Sequence, residues 1–119
     1  MSEAPRVQIE PVAVDLWRIT NDGDDRVRLL EAWAPHGRFR ADRRAHDVML
    51  EPGRSVVLEL PVRTAGDAGE VVENAFLILR FEGWRVLARL EIRFDDDAHP
   101  RAKVMVVTSQ PAGFSGVEG

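Results

Sequence analysis

The sequence contains no cysteine, no tyrosine and a single lysine, Lys103. Without cysteine the chain can form neither a disulfide nor a thiolate metal site, so its stability must come from a hydrophobic core, as is usual in a reducing compartment. No stretch approaches the roughly 20 apolar residues that span a bilayer, and residues 1–5 lack the basic and apolar regions of a secretory signal. We therefore expect a cytoplasmic protein with no membrane partner.

Positive charge is also in deficit, because 16 Lys and Arg residues stand against 20 Asp and Glu, a formal net charge of −4. A nucleic-acid partner is not expected, since general polyanion binding usually rests on a strongly basic domain or face. The hydrophobic share of 45% and the charged share of 30% are those of a folded globular chain. A length of 119 residues suits one domain with one core.

The motifs of the common enzyme classes are missing as well. The sequence has no nucleophile elbow, no glycine-rich phosphate loop and no zinc-protease motif. His46 with Met49, and His99 with Met105, are combinations that copper ions accept, but no spacing forms a closed ligand set. We interpret both methionines as core residues, and we expect no enzyme activity, no cofactor and no metal site.

The clearest structural signal lies in residues 84–94. Apolar side chains occupy alternate positions there, and arginine and glutamate fill most of the positions between them. A period of two is typical of a strand with one face in a core. The apolar set is Trp84, Val86, Ala88, Leu90, Ile92 and Phe94.

A second apolar segment, residues 74–81, precedes this strand and is joined to it by Glu82 and Gly83. A two-residue loop with glycine second predicts a type I′ hairpin, because glycine tolerates positive φ. The resulting register brings the apolar faces together. Its predicted pairs are Phe81 with Trp84, Leu79 with Val86, Leu77 with Ala88, and Ala75 with Leu90.

A helix over residues 71–81 is the alternative, because Val72, Ala75, Phe76 and Leu79 also have helical spacing. It would leave the neighbouring apolar residues at positions 77 and 78 outside the helical stripe. A strand covered on both faces accommodates the whole apolar run, so the strand is preferred.

Five further segments predict strands: residues 6–9, 12–20, 26–34, 54–62 and 102–108. Pro61 lacks an amide donor and should lie at a sheet edge or in a gap of the hydrogen-bond ladder. The glycine-rich residues 110–119 predict a flexible tail, which leaves residues 1–109 as the folded domain.

Two turn segments carry a resemblance to known modules. Ile19-Thr20-Asn21-Asp22-Gly23-Asp24 is followed by a predicted strand, and Leu50-Glu51-Pro52-Gly53-Arg54-Ser55 precedes another. This pattern resembles bacterial immunoglobulin-like and fibronectin type III-like modules, and is similar to domains of the major-sperm-protein type. The resemblance implies an all-β, immunoglobulin-like antiparallel β-sandwich of about seven strands. It implies no particular function, since such modules serve as spacers, adhesion units and docking surfaces.

Two groups of residues are candidates for binding a partner. One is the basic segment 36–46, in which arginines could clamp carboxylates and an aromatic ring could anchor a partner. The other is a stripe of arginines at outward positions of the strand 84–94. In the alternative interpretation, both groups are solvated charges that pair with acids nearby. The candidates are Arg38, Phe39, Arg40, Arg43, Arg44, Arg85, Arg89 and Arg93.

The sequence favours a non-enzymatic interaction module that docks a protein partner or a second copy of itself. The alternative is an accessory domain that binds a small ligand or a carbohydrate, with exposed tryptophans as the stacking platform. Trp17, Trp33 and Trp84 are the three tryptophans, and burial in the core is the competing explanation for all of them.

Overall fold

The structure, a computed structural model, describes residues 3–112 and has no helix within them, so that range holds no helix that could cross a membrane. A smaller sheet has the order β1-β2-β5 and a larger one the order β6-β4-β3-β7-β8-β9, with antiparallel neighbours throughout. The predicted all-β sandwich is therefore confirmed. Its strands are β1 (Val7–Ala13), β2 (Leu16–Asn21), β3 (Val27–His36), β4 (Phe39–Leu50), β5 (Ser55–Glu59), β6 (Arg63–Thr64), β7 (Val71–Phe81), β8 (Trp84–Phe94) and β9 (Pro100–Pro111).

The hairpin of β7 and β8 has the predicted register in all four apolar pairs, from Phe81 opposite Trp84 to Ala75 opposite Leu90. The strand interpretation of this segment is thus confirmed over the helical one. The prediction of a type I′ turn is wrong, because Gly83 (φ 77°) has positive φ but Glu82 does not. That pattern matches a type II turn, which requires positive φ at its second central residue alone.

Nine strands form where about seven were expected, because β4 and β6 were not predicted. Two register shifts against β3 interrupt β4, so its side chains do not alternate regularly between the two faces of the sheet. Only Phe39, Ala41 and Leu50 of β4 are buried. The sequence of this strand therefore lacks the period of two that identifies its neighbours.

Several other strand boundaries differ from the predicted ones. The predicted strand 12–20 is divided, since the indole of Trp17 donates to the carbonyl of Val14 at 3.1 Å in the bend between β1 and β2. Pro61 follows the end of β5 and lies outside the ladders, as its missing amide predicts. Strand β9 extends two residues into the predicted tail, and residues 113–119 lie outside the described part of the chain.

The core lies between the inner faces of the two sheets. The smaller sheet contributes residues such as Trp17 and Ile19, which are fully buried. Alternate residues of β7 and β8 face them from the larger sheet. Trp17 meets Phe39 of β4 edge to face, with ring centroids 6.3 Å apart, a favourable geometry for an aromatic pair.

Asn21, at the end of β2, is a fully buried polar residue that joins the two sheets. Its side-chain amide donates to the carbonyls of Leu50 at 2.9 Å and Asp25 at 2.8 Å, and its oxygen accepts from the amide of Gly23 at 2.9 Å. Its backbone amide and carbonyl are bonded to Arg54 and Gly53. Every polar atom of this residue is thus satisfied, as burial requires.

We expect Asn21→Ala to lower the free energy of unfolding by about 2–4 kcal/mol, because it leaves buried partners without hydrogen bonds. Asn21→Asp removes both donors and places a carboxylate beside two carbonyls, so its loss should be larger. Urea unfolding monitored by tryptophan fluorescence measures these losses. Thr20→Ala is the control, since it removes only the exposed hydroxyl contact with Ser55. Equal losses for Asn21→Ala and Thr20→Ala would contradict the assigned role.

Gly66, in the loop between β6 and β7, is packed against the ring of Phe94, so a methyl group there would overlap that ring. We expect Gly66→Ala to destabilise the fold by about 1–3 kcal/mol through overpacking. Gly37→Ala is the matched control, because nothing lies within 4 Å of its added methyl group. It should be neutral or slightly stabilising. Indistinguishable thermal midpoints for the two variants would refute the proposed contact.

Candidate functional site

The basic segment 36–46 does not form a single surface. Arg38 donates to the carboxylate of Glu70 at 2.9 Å and to a loop carbonyl, so it holds the loop before β7. Arg44 lies 3.6 Å from Glu59 of β5 and links the two sheets. Arg40 is exposed at the end of β4, opposite Arg63.

Phe39 is not a surface residue. Its side chain is 0% exposed and belongs to the core, so the hypothesis that it anchors a partner is wrong. The adjacent arginines are at least partly accessible because the strand turns alternate residues to opposite faces. The sequence pattern did not separate an aromatic residue that faces the core from one that faces solvent.

Arg43 is the member of the segment that contacts Trp33 and Glu31 on the outer face of the larger sheet. Its guanidinium lies over the ring of Trp33, 4.0 Å from the centroid, and 3.7 Å from the carboxylate of Glu31. The same carboxylate accepts from Arg80 at 2.8 Å. The guanidinium of Arg43 thus covers the ring of Trp33. Glu31, on β3, forms ion pairs with one arginine from each neighbouring strand, Arg43 on β4 and Arg80 on β7.

The outward arginines of β8 lie on the same face. Val86, Ala88, Leu90 and Ile92 are buried in the core, and Arg85, Arg89 and Arg93 alternate with them on the outer side. Arg85 lies opposite Arg80 of β7. The outer face of β7 and β8 therefore carries a row of cations, as the sequence pattern predicts.

Arg89 lies at the middle of this row with apolar neighbours on both sides. Phe76 of β7 is directly opposite it, and Val106 of β9 is opposite it on the other side. The next pair along the hairpin is Ile78 with Leu87. We call these five residues the Arg89 patch. Phe76 and Leu87 are half-buried, and Val106 is 43% exposed.

The charge of Arg89 is not balanced locally. Glu31 and Glu91, which lie on the same face, pair with Arg80 and Arg93, each at 2.8 Å. Among residues 3–112, no carboxylate lies within ion-pair distance of Arg89. The Arg89 patch thus combines an arginine that lacks a counter-charge with an apolar surround.

A bulge lies beside the patch. The register between β8 and β9 shifts from Arg89 opposite Val106 to Leu90 opposite Val104, which leaves Met105 as the extra residue. Met105 is 44% exposed and Met49 is 49% exposed, so the prediction that both are core residues is wrong. Bulges often lie beside binding sites, where they redirect side chains.

The apolar members of the patch were not among the predicted site residues. The hairpin register that pairs Leu77 with Ala88 also places Phe76 opposite Arg89, so the sequence contained this signal. No hairpin register in the sequence predicts that Trp33 and Glu31 lie near the arginines. They reach the arginines through β3, whose position beside β7 is set by the fold and not by a short turn.

A separate cleft of about 210 Å³ lies at one end of the sandwich, with Trp84 and charged residues in its wall. Three arginines line it, and each is paired with an acid: Arg6 with Asp24 at 3.7 Å, Arg26 with Glu51 at 3.6 Å, and Arg28 with Asp47 at 2.7 Å. The hydrogen bond from Arg28 holds the pKa of Asp47 below its usual value. These pairs leave none of the cleft's arginines available to an anionic ligand without breaking an ion pair.

Asp95, Asp97 and His99 are close enough together to hold a cation. The backbone amides of His99 and Asp97 both donate to Asp95 Oδ1 at 2.9 Å, which defines a capped turn. These bonds, that of His99 first, lower the pKa of Asp95, and the neighbouring Arg101 acts in the same direction. A cationic guanidinium 3.6 Å from the carboxylate disfavours a metal ion there.

Stability in acid should depend on Asp95. Because its pKa is lower in the folded state, ionised Asp95 stabilises the fold above its unfolded-state pKa, and this stabilisation is lost as the pH falls through the folded value. Asp95→Asn keeps an acceptor oxygen but does not titrate, so the unfolding free energy should fall less steeply below about pH 4. Urea midpoints between about pH 5 and pH 2 test this. Curves of equal slope for the variant and the wild type would contradict it.

Comparison with known proteins gives no match. No protein-family model matches it, and no curated protein and no solved structure matches it. What this protein binds must therefore be inferred from its own surface, where the Arg89 patch combines charge and apolar area.

Proposed function

We propose that the chain is a non-enzymatic interaction module that docks a protein partner through the outer face of its larger sheet. The Arg89 patch is the observation that carries the proposal. Arginine and aromatic residues surrounded by apolar contacts supply most of the binding energy in protein interfaces. Here Arg89 and Phe76 are opposite each other at the centre of the face, and Val106 remains accessible beside them.

The position of the patch also supports docking. It lies on three adjacent strands, β7, β8 and β9, whose hydrogen-bonded ladders hold the side chains in fixed relative positions. A rigid surface loses little conformational entropy when a partner binds. Arg43 over Trp33 and the Arg80–Glu31 pair order the neighbouring side chains in the same way.

The order of the strands supports the immunoglobulin-like resemblance, which we include in the proposal. In immunoglobulin domains, strands A, B and E share one sheet, and strand F lies between C and G in the other. Here β1, β2 and β5 share the smaller sheet, and β7 lies between β3 and β8. Strand β9 extends the sheet beyond the position of strand G. Trp33 differs from the core tryptophan of immunoglobulin strand C, because it faces outward.

Charge favours a different protein over a second copy of this chain as the partner. A symmetric dimer through this face would bring the same residues together from both copies. Arg89, which is in no ion pair within the described part of the chain and lies at the middle of the row, would then approach the Arg89 of the other copy, with repulsion between like charges. We therefore propose association with a partner of different surface charge.

The small-ligand alternative depends on Trp84. Trp17 is fully buried and Trp33 is 7% exposed, so neither provides a stacking platform. Trp84 is half-buried and lines the cleft at the end of the sandwich. A glycan or nucleotide that shifted the indole NMR signal of Trp84 would support this second candidate.

Capture of partners from a lysate of the source cells tests the docking proposal. Immobilised wild-type protein should retain a defined partner, and Arg89→Glu should lose it. Arg18→Glu is the matched control, because Arg18 is also a strand arginine, but it is exposed on the outer face of the smaller sheet. Both variants must retain the wild-type thermal midpoint. Retention of the same partner by Arg89→Glu would refute docking through this patch, and an empty wild-type column would count against the function.

A further inference from the structure

We infer that the partner carries an acidic segment with apolar flanks, and that a carboxylate of this segment binds Arg89. The inference rests on the proposed docking function and adds the chemistry of the occupant. It follows from the surroundings of one guanidinium and from the residues opposite it on both neighbouring strands.

The first step concerns desolvation. A protein that covers Phe76 and Val106 must also cover Arg89, because Arg89 lies between them. Burying a guanidinium without a counter-charge is strongly unfavourable, so a buried Arg89 must be paired. Within residues 3–112, Glu31 and Glu91 of this face are already engaged by Arg80 and Arg93, and no carboxylate lies within ion-pair distance of Arg89. The partner must therefore supply the carboxylate, which can accept two parallel hydrogen bonds from arginine.

The second step concerns the surround. Phe76, Leu87 and Val106 offer accessible apolar area on both sides of Arg89, and the buried Ile78 lies beneath it. A purely polar acidic chain would leave this area uncovered, whereas apolar side chains that flank the carboxylate would bury it and exclude water. An acidic segment with neighbouring leucine or phenylalanine residues satisfies both requirements.

Nucleic acid fits this face less well. A phosphate backbone binds surfaces where positive charge is continuous, and here Glu31 and Glu91 interrupt the arginines. The chain as a whole carries a net charge of −4, which repels a polyanion. The apolar surround of Arg89 would also gain nothing from phosphate contacts. An acidic protein segment is therefore the favoured occupant.

Titration of the isotope-labelled full chain, followed by NMR, tests the inference directly. The probe is a short blocked peptide, Ser-Leu-Glu-Phe-Glu-Leu-Ser, and its counterpart with glutamine in place of glutamate is the matched control. A short oligothymidylate tests the nucleic-acid alternative. We expect the acidic peptide to shift the amide signals of Phe76, Leu87, Arg89 and Val106. Arg89→Gln should weaken its affinity by about tenfold or more, and Arg18→Gln should not.

The possible outcomes separate the inference from the proposed function. If the glutamine peptide binds as well as the acidic one, or neither shifts the patch, the acidic partner is refuted, while the Arg89-dependent capture of a protein from lysate can still hold. Tighter binding of the oligothymidylate at the same signals would replace the acidic segment with a nucleic acid. Line broadening that grows with protein concentration alone, and maps to the patch, would identify a second copy as the occupant.

Discussion

The pairing of Phe81 with Trp84 across the Gly83 turn determines which side chains of β7 and β8 face the core and which face outward. Since side chains alternate along a strand, a shift of one residue would move the core residues to the surface and the arginines to the interior. The buried face specifies this register strongly, because it carries Leu77, Leu79 and their partners. The position of Arg89 on the surface is thus a consequence of how the core is packed.

The sequence predicted those parts of the fold in which regular alternation and a short turn coincide. The β7–β8 hairpin meets both conditions, and its register was correct in each apolar pair. Strand β4 meets only the second, because the two-residue turn of Gly37 and Arg38 joins it to β3 but two register shifts against β3 interrupt its alternation. The predicted type of turn at Gly83 was wrong because a glutamate at position 82 does not determine the sign of its own φ angle.

The residues of the candidate site likewise fall into those that the sequence predicted and those that it did not. Arg85, Arg89 and Arg93 were predicted from alternation within one strand, and Phe76 follows from the hairpin register. Phe39 was misplaced, because a basic segment around one aromatic residue does not reveal which face of a strand the ring occupies. Contacts through β3 could not be predicted either, since no local pattern determines which strand lies beside β7. Local patterns therefore located the cations but not their surroundings.

Strand β9 lies at the edge of the larger sheet, where among residues 3–112 no further strand is hydrogen-bonded to its outer side, although β1 of the other sheet lies beside it. An open edge of this kind can recruit strands from other molecules and lead to aggregation. Pro100 and Pro111 close the two ends of β9 without amide donors, and the bulge at Met105 breaks the regular spacing of the ladder between them. The irregularity that accompanies the Arg89 patch is thus also of the kind that makes an edge strand a poor template for pairing with another chain.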